Sequence, residues 1–103
     1  MNTATKNKLE WTDVTSYSRD QQPRFPTCWE ISDGVLRVTV VWNHLDLPGM
    51  WCFHCRALDF DTHALPNVTS VADHKRAKAE AIAVLRKRLV ELRRSVASFV
   101  GRY

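Results

Sequence analysis

Between residues 28 and 58 apolar and polar side chains alternate, and the alternation is broken at two places that read as turns. An Asp33-Gly34 step between β-rich runs predicts a tight two-residue hairpin, because its backbone needs positive dihedral angles. Pairing across it sets Ser32 against Val35, Ile31 against Leu36, Glu30 against Arg37, Trp29 against Val38 and Cys28 against Thr39. A second hairpin closed over a six-residue loop at 44–49 sets Trp42 against Trp51, Val40 against Phe53, Val38 against Cys55 and Leu36 against Ala57. Strand side chains alternate faces, so Trp29, Ile31, Leu36, Val38, Val40, Trp42, Trp51, Phe53, Cys55 and Ala57 share the core side. The opposite face is mixed, with Cys28, Glu30, Arg37, Thr39, Val41, Cys52, His54 and Arg56; Glu30 opposite Arg37 makes a cross-strand ion pair. After Ala57 the phase changes, since Leu58 and Phe60 fall on the His54 side, and a bulge or strand end is expected there.

The period then changes from two to between three and four. Residues 71–100 read as one helix with apolar positions at 77, 81, 85, 89, 92, 96 and 99. Ser70-Val71-Ala72-Asp73 resembles a capping box at its start, and Gly101 marks its end. About 30 residues at 1.5 Å each give a rod of roughly 45 Å, longer than three strands are wide, so the last turns overhang or meet a second subunit. The predicted fold is α+β: a three-stranded antiparallel β-meander covered by one long C-terminal α-helix. Residues 28–103 form this single β-β-β-α domain. Residues 1–27 are a polar N-terminal arm, disordered from 1 to about 7, with an extra edge strand as the alternative reading for the remainder.

At 103 residues the chain has room for one domain with a modest core. No apolar run is long enough to span a bilayer and no leader is visible at the N-terminus, so a cytoplasmic location is expected without membrane attachment. Three cysteines, at 28, 52 and 55, are an odd number, which points to reduced thiols rather than a disulfide framework.

Candidate chemistry is sparse. Cys52-Phe53-His54-Cys55, with His44 and His63 nearby in sequence, suggests a metal site, but Cys52 and Cys55 on one strand project to opposite faces. The expectation is a small core cysteine at 55 and a half-buried one at 52. A Cys52–His54 nucleophile pair has no evident orienting carboxylate. Asp59 and Asp61 read as a solvated strand edge. The three glycines serve a turn, a loop and a helix end, which leaves none for a phosphate loop. No metal, cofactor or catalytic residue is therefore expected.

Charge is distributed unevenly. Residues 1–72 carry six basic and eight acidic side chains, whereas 73–103 carry nine basic and three acidic ones. Placed at 100° intervals, Lys75, Arg86 and Arg93 form one exposed row and Arg76, Lys87 and Arg94 a neighbouring one. Such a face suits an acidic partner or a phosphate backbone, and it equally suits simple solvation of a helix exterior.

Two resemblances bear on function. His74-Lys75-Arg76-Ala77-Lys78-Ala79-Glu80-Ala81 resembles the Lys-Lys-x-Ala-Lys-x-x-Ala start of the last helix in double-stranded RNA-binding domains, which a three-stranded meander also precedes. This resemblance covers residues 28–100 at most and implies Lys75 and Lys78 as phosphate contacts. The wider plan of a tryptophan-containing arm, a short meander and a helix opening with Ala-Lys-x-x-Ala is similar to small ββ(β)α proteins of phage and prophage genomes. That likeness implies an accessory factor that binds and modulates, or inhibits, a host or defence protein.

Two functions follow from different classes. The first is a non-catalytic interaction module contacting a protein partner through Arg37, His54 and Arg56 on the mixed sheet face, Leu45 and Leu47 in the 44–49 loop, or Phe99 and Tyr103 at the helix overhang. The second is a duplex nucleic-acid-binding protein that uses Lys75, Arg76, Arg86, Lys87, Arg93 and Arg94. A homodimer is compatible with either, because one helix over three strands leaves tryptophan-rich apolar area to cover.

Overall fold

The computed structural model describes residues 9–20 and 25–103. The expected disorder of residues 1 to 7 lies outside the described residues. The chain is α+β, with five strands rather than the three expected from the sequence: β1 (Thr12–Asp13), β2 (Cys28–Ser32), β3 (Arg37–His44), β4 (Leu47–Cys55) and β5 (Phe60–Leu65), followed by one helix, α1 (His74–Arg102). They form a single antiparallel meander in the order β1-β2-β3-β4-β5. β5 escaped the sequence pattern because three residues of 3-10 helix, Arg56–Leu58, and a left-handed Asp59 (φ 64°) separate it from β4. That excursion resets the phase. Phe60 returns to the core, 6% exposed, while Ala57, expected inward, lies in the 3-10 turn and is exposed.

Both hairpins differ from the expected closures. The first pairs Ser32 with Arg37, Ile31 with Val38, Glu30 with Thr39, Trp29 with Val40 and Cys28 with Val41, a slide of two residues along β3. The turn pivots on Gly34-Val35 because Asp33 folds back on it. Its carboxylate accepts the amides of Val35 (2.8 Å) and Leu36 (2.7 Å), and its own amide donates to the Leu36 carbonyl at 3.2 Å. Those two amide donors hold the Asp33 carboxyl below the ordinary aspartate range. Only Gly34 takes positive φ (91°), as a turn with glycine first requires, whereas an Asp-Gly turn would need it at both central residues. A slide of two leaves every side chain on its predicted face.

The second hairpin is tighter than expected. His44 pairs with Leu47, which leaves Leu45-Asp46 as a two-residue turn, and the extra β4 residues are absorbed in a bulge opposite Asn43. Asn43 has φ 58°, and its side-chain oxygen accepts the Gly49 amide at 2.8 Å. Leu47 therefore belongs to a strand rather than a loop. Beyond the bulge the expected register holds at Val40–Phe53 and Trp42–Trp51.

The core forms on the side the alternation predicts, from Val38, Val40, Trp51, Phe53 and Cys55 of the sheet with Phe60, Leu65 and Val68. Trp51 and Phe53 are wholly buried, and rings of that size contribute roughly 4–6 kcal/mol each of gross burial. Residues 66–73 strap the sheet to the helix. Trp51 donates its indole N–H to the Ser70 carbonyl at 2.8 Å and its amide to the Val68 carbonyl at 3.0 Å, which seats Val68 in the core.

α1 starts three residues later than expected. Asp73 occupies the N-cap position but makes no side-chain capping bond, and the Ser70 hydroxyl instead accepts the Ala72 amide in a local turn. Gly101 lies inside the helix instead of ending it. Ala77, Ala81 and Leu85 are its only buried residues. Alanine at the first two contacts lets the rod lie close to the sheet, and Leu85 makes the last deep contact.

Candidate functional site

At 1.5 Å per residue, the 29 residues of α1 run about 43 Å, and only the first half lies on the sheet. Every residue from Leu89 to Tyr103 is exposed. Leu92 is 37% exposed, Val96 58%, Phe99 69% and Tyr103 fully, with Phe99 and Tyr103 stacked on one another at 6.4 Å. The apolar stripe that covers the sheet through Ala77, Ala81 and Leu85 thus continues, without a change of phase, onto a free rod.

The point of departure is fixed by Arg88. Its guanidinium donates to the Leu58 carbonyl at 3.0 Å, lies 4.4 Å from the Phe60 ring centroid, and approaches Glu91 at 3.7 Å. One cation thus joins the 3-10 turn, β5 and the helix. Beside it, between helix and sheet, runs an almost wholly apolar groove of about 290 Å³ lined by Ile31, Leu36, Leu58, Ile82, Leu85 and Leu89. Leu89 also borders the next hollow outward, with Leu92, Arg93, Val96 and Val100, so groove and stripe are continuous. The sequence spacing announced the stripe; the groove depends on the 3-10 turn bringing Leu58 up to the helix, which no local pattern encodes.

The helical cations divide. Arg76 pairs with Glu80 at 3.0 Å. Among the described residues Lys75, Arg86, Lys87, Arg93 and Arg94 have no ion-pair partner. Arg86 lines the apolar groove and Arg93 the hollow beyond it, so both stand on one margin of the stripe. Arg94 lies on the other side of the rod, beside Phe99 and Arg102.

Lys78 is committed elsewhere. Its ammonium sits 3.4 Å from the Trp29 ring centroid and 5.7 Å from that of Trp11, and it donates to His74 Nδ1 at 3.0 Å. His74 stacks on Trp29 with centroids 4.8 Å apart. Burial lowers the His74 pKa, with further lowering from Lys78 and Lys75 and an opposing pull from Asp13. A neutral imidazole is the form that accepts the lysine proton. Burial likewise lowers the Lys78 pKa. Sequence reasoning did not find this cluster, because its members come from the arm, β2 and α1.

The other nominated residues do not make one surface. Arg37, His54 and Arg56 line a shallow groove on the mixed sheet face together with Val35 and Thr39. Arg37 lies 3.7 Å from Glu30, the cross-strand pair expected from the sequence, although in the observed register the two are diagonal rather than opposite. His54 Nδ1 is bonded to the Asp61 carbonyl, and its ring meets that of His44 edge-on at 5.8 Å. Leu45, 96% exposed, and Leu47 sit at the opposite end of β3, some seven residues or roughly 23 Å from Arg37.

Among the described residues no three of His, Cys, Asp or Glu gather as metal ligands. All three cysteines are free thiols. Cys52, expected to be half-buried, is fully buried, and burial, with a smaller contribution from Cys28, pushes its thiol up to about 11, far from a nucleophilic thiolate. Among the described residues no helix is long and apolar enough to cross a membrane. Comparison with known proteins gives no match among family models, curated proteins or solved structures.

Proposed function

We propose that the chain is a small non-catalytic interaction module, an accessory protein that binds and modulates a protein partner through the free half of α1 and the groove at its base. One observation carries this reading: a helix continues about 22 Å beyond its last buried turns while keeping an apolar stripe on the side that faced the core. An unattached rod gains nothing from Leu92, Val96 and Phe99 in water, and short helices standing alone are marginal. The stripe makes sense when another surface covers it. Regulation of a host or defence protein, as in the phage-type plan, is the setting this reading favours.

A second reading, duplex nucleic-acid binding, draws support from the row of Lys75, Arg86 and Arg93 and from Lys87 and Arg94, none of which has an ion-pair partner among the described residues. It leaves the apolar stripe without a role, and Lys78 is already held by two tryptophans and a histidine. Affinity capture from the native host with nuclease treatment separates the two. A protein that stays bound after nuclease and in moderate salt, and is lost with Val96→Glu, supports the module. Material removed by nuclease, together with a gel shift that weakens steeply between about 50 and 200 mM salt, supports nucleic acid.

A further inference from the structure

We infer that the exposed stripe of α1 receives one α-helix of a partner protein, a helix with its own apolar heptad seam and with Asp or Glu along the edge that faces Arg86 and Arg93. This rests on the reading of the chain as a protein-interaction module and specifies what the module holds.

The spacing of the apolar residues from the buried Leu85 outward carries the first half. Leu85, Leu89, Leu92, Val96, Phe99 and Tyr103 are separated by four, three, four, three and four residues. That is a 3.5-residue repeat, the seam by which helices pack side by side, and it spans roughly 27 Å of rod. Upstream, where the helix lies on the sheet, the buried positions are Ala77, Ala81 and Leu85, with Ile82 packed beside them, so the stripe that meets the sheet runs straight into this repeat. A flat partner or a lipid surface needs only an apolar face, whereas a 3.5-residue repeat suits knobs from a second helix. At the base, the 290 Å³ groove offers an end socket for one large apolar side chain of the incoming helix.

Charge carries the second half. Arg86 and Arg93 are seven residues apart on one margin of the seam, the positions that choose partners in helix pairs. On the other margin stand Arg88, Ser95 and Arg102. Residues 86–103 hold six cations and a single acid, Glu91. Two copies of this chain paired through their seams would set these cationic margins against each other, at a cost like that of other like-charge flanks. A helix with acidic margins turns the same charges into attraction, and charge complementarity therefore selects a different protein over a second copy. Duplex nucleic acid matches the charge but leaves the seam in water.

The probes are two synthetic peptides of about three heptads with the same Leu/Ile seam, one with Glu and one with Lys at the flanking positions. Binding to the full chain is followed by fluorescence anisotropy. The Glu peptide is expected to bind, with affinity that falls as salt rises, and the Lys peptide at least tenfold more weakly. Exchanging Arg86→Glu and Arg93→Glu together should remove most of the preference, because Arg88 and Arg102 still stand on the other margin. Val96→Glu should weaken the Glu peptide by roughly thirtyfold and leave the melting temperature of the chain unchanged, since Val96 is 58% exposed and outside the core cluster.

Equal affinity for both peptides overturns the charge assignment. Sedimentation that shows a dimer dispersed by Val96→Glu assigns the seam to a second copy and overturns the inference. If neither peptide binds but a nuclease-resistant captured protein is lost with Arg37→Glu, the inference falls together with the choice of α1 as the surface, and only the reading as a protein-interaction module stands, moved to the mixed sheet face. If neither peptide binds and nuclease strips everything captured, both fall.

Discussion

Leu85 and Leu92 are the same residue type one heptad apart on one helix, and the fold predicts very different consequences of changing each to alanine. Leu85 is 7% exposed, at the last buried turn of α1. Removing three side-chain carbons forfeits about 0.8 kcal/mol each, or about 2.4 kcal/mol of transfer free energy. The cavity term should be small, because Leu85 already lines a groove open to water, so the cost falls near the low end of the observed range for such changes, about 2.5–3 kcal/mol. In a chain of 103 residues each kcal/mol moves the melting temperature by about 4–8 °C, so Leu85→Ala should lower it by at least 10 °C or so. Leu92→Ala removes a side chain that is 37% exposed and outside the core cluster, and alanine is the better helix former, so the expected change is within about 0.5 kcal/mol of zero. Urea unfolding followed by circular dichroism, at two protein concentrations tenfold apart, measures both. Equal losses for the two variants would refute the reasoning, because Leu92 would then be buried against the body or against another copy.

Gly34→Ala should cost on the order of 1 kcal/mol in the same assay, purely from backbone strain at φ 91°, since a Cβ there meets no atom within 4 Å. His74 makes stability depend on pH: its folded pKa lies below the unfolded value of 6.5, so the unfolded chain takes up a proton first and stability falls as pH drops below 6.5, with no effect from this group above it. His74→Gln should flatten the wild-type decline in melting temperature between pH 7 and 5, and an unchanged slope would place the titration elsewhere. Native-state alkylation at pH 8 should modify Cys28, which is partly exposed, well ahead of Cys52 and Cys55, and mass spectrometry of the digested chain reads the order directly. A fast-reacting Cys52 would mean that the sheet face over it is open.

The core face, the single helix and its overhang were legible in the sequence because each rests on a period that many residues share: Trp29, Val38, Val40, Trp51 and Phe53 in step two, and Ala77 through Phe99 in steps of three and four. Register was legible only in part: Val40–Phe53 and Trp42–Trp51 pair as expected, but the two turns are decided by single side-chain bonds. Asp33 captures the Val35 and Leu36 amides and moves one turn by a residue, and Asn43 captures the Gly49 amide and shrinks another. β5 was hidden by a 3-10 turn whose residues, Arg56, Ala57 and Leu58, carry no turn signature of their own. Of the candidate residues, Arg86 and Arg93 line the groove and hollow at one margin of the helical stripe to which Phe99 and Tyr103 belong by spacing; Arg37, His54 and Arg56 form a separate groove, and Leu45 and Leu47 a distant tip. The Lys78 cluster could not be read from spacing, since Trp11, Trp29 and His74 meet only once β1 has paired with β2 and the helix has docked.

Residue-resolved amide hydrogen exchange, on the chain alone and with the Glu-flanked peptide, addresses the free half of α1 most directly. Alone, amides from about Ala77 to Arg88 should be protected to near the global unfolding free energy, with protection declining steadily from Leu89 to Tyr103, and the peptide should raise it along the outer half only. Protection of Leu92 to Phe99 in the isolated chain equal to that of Ala81 would contradict the account, for it would mean that the rod is already covered.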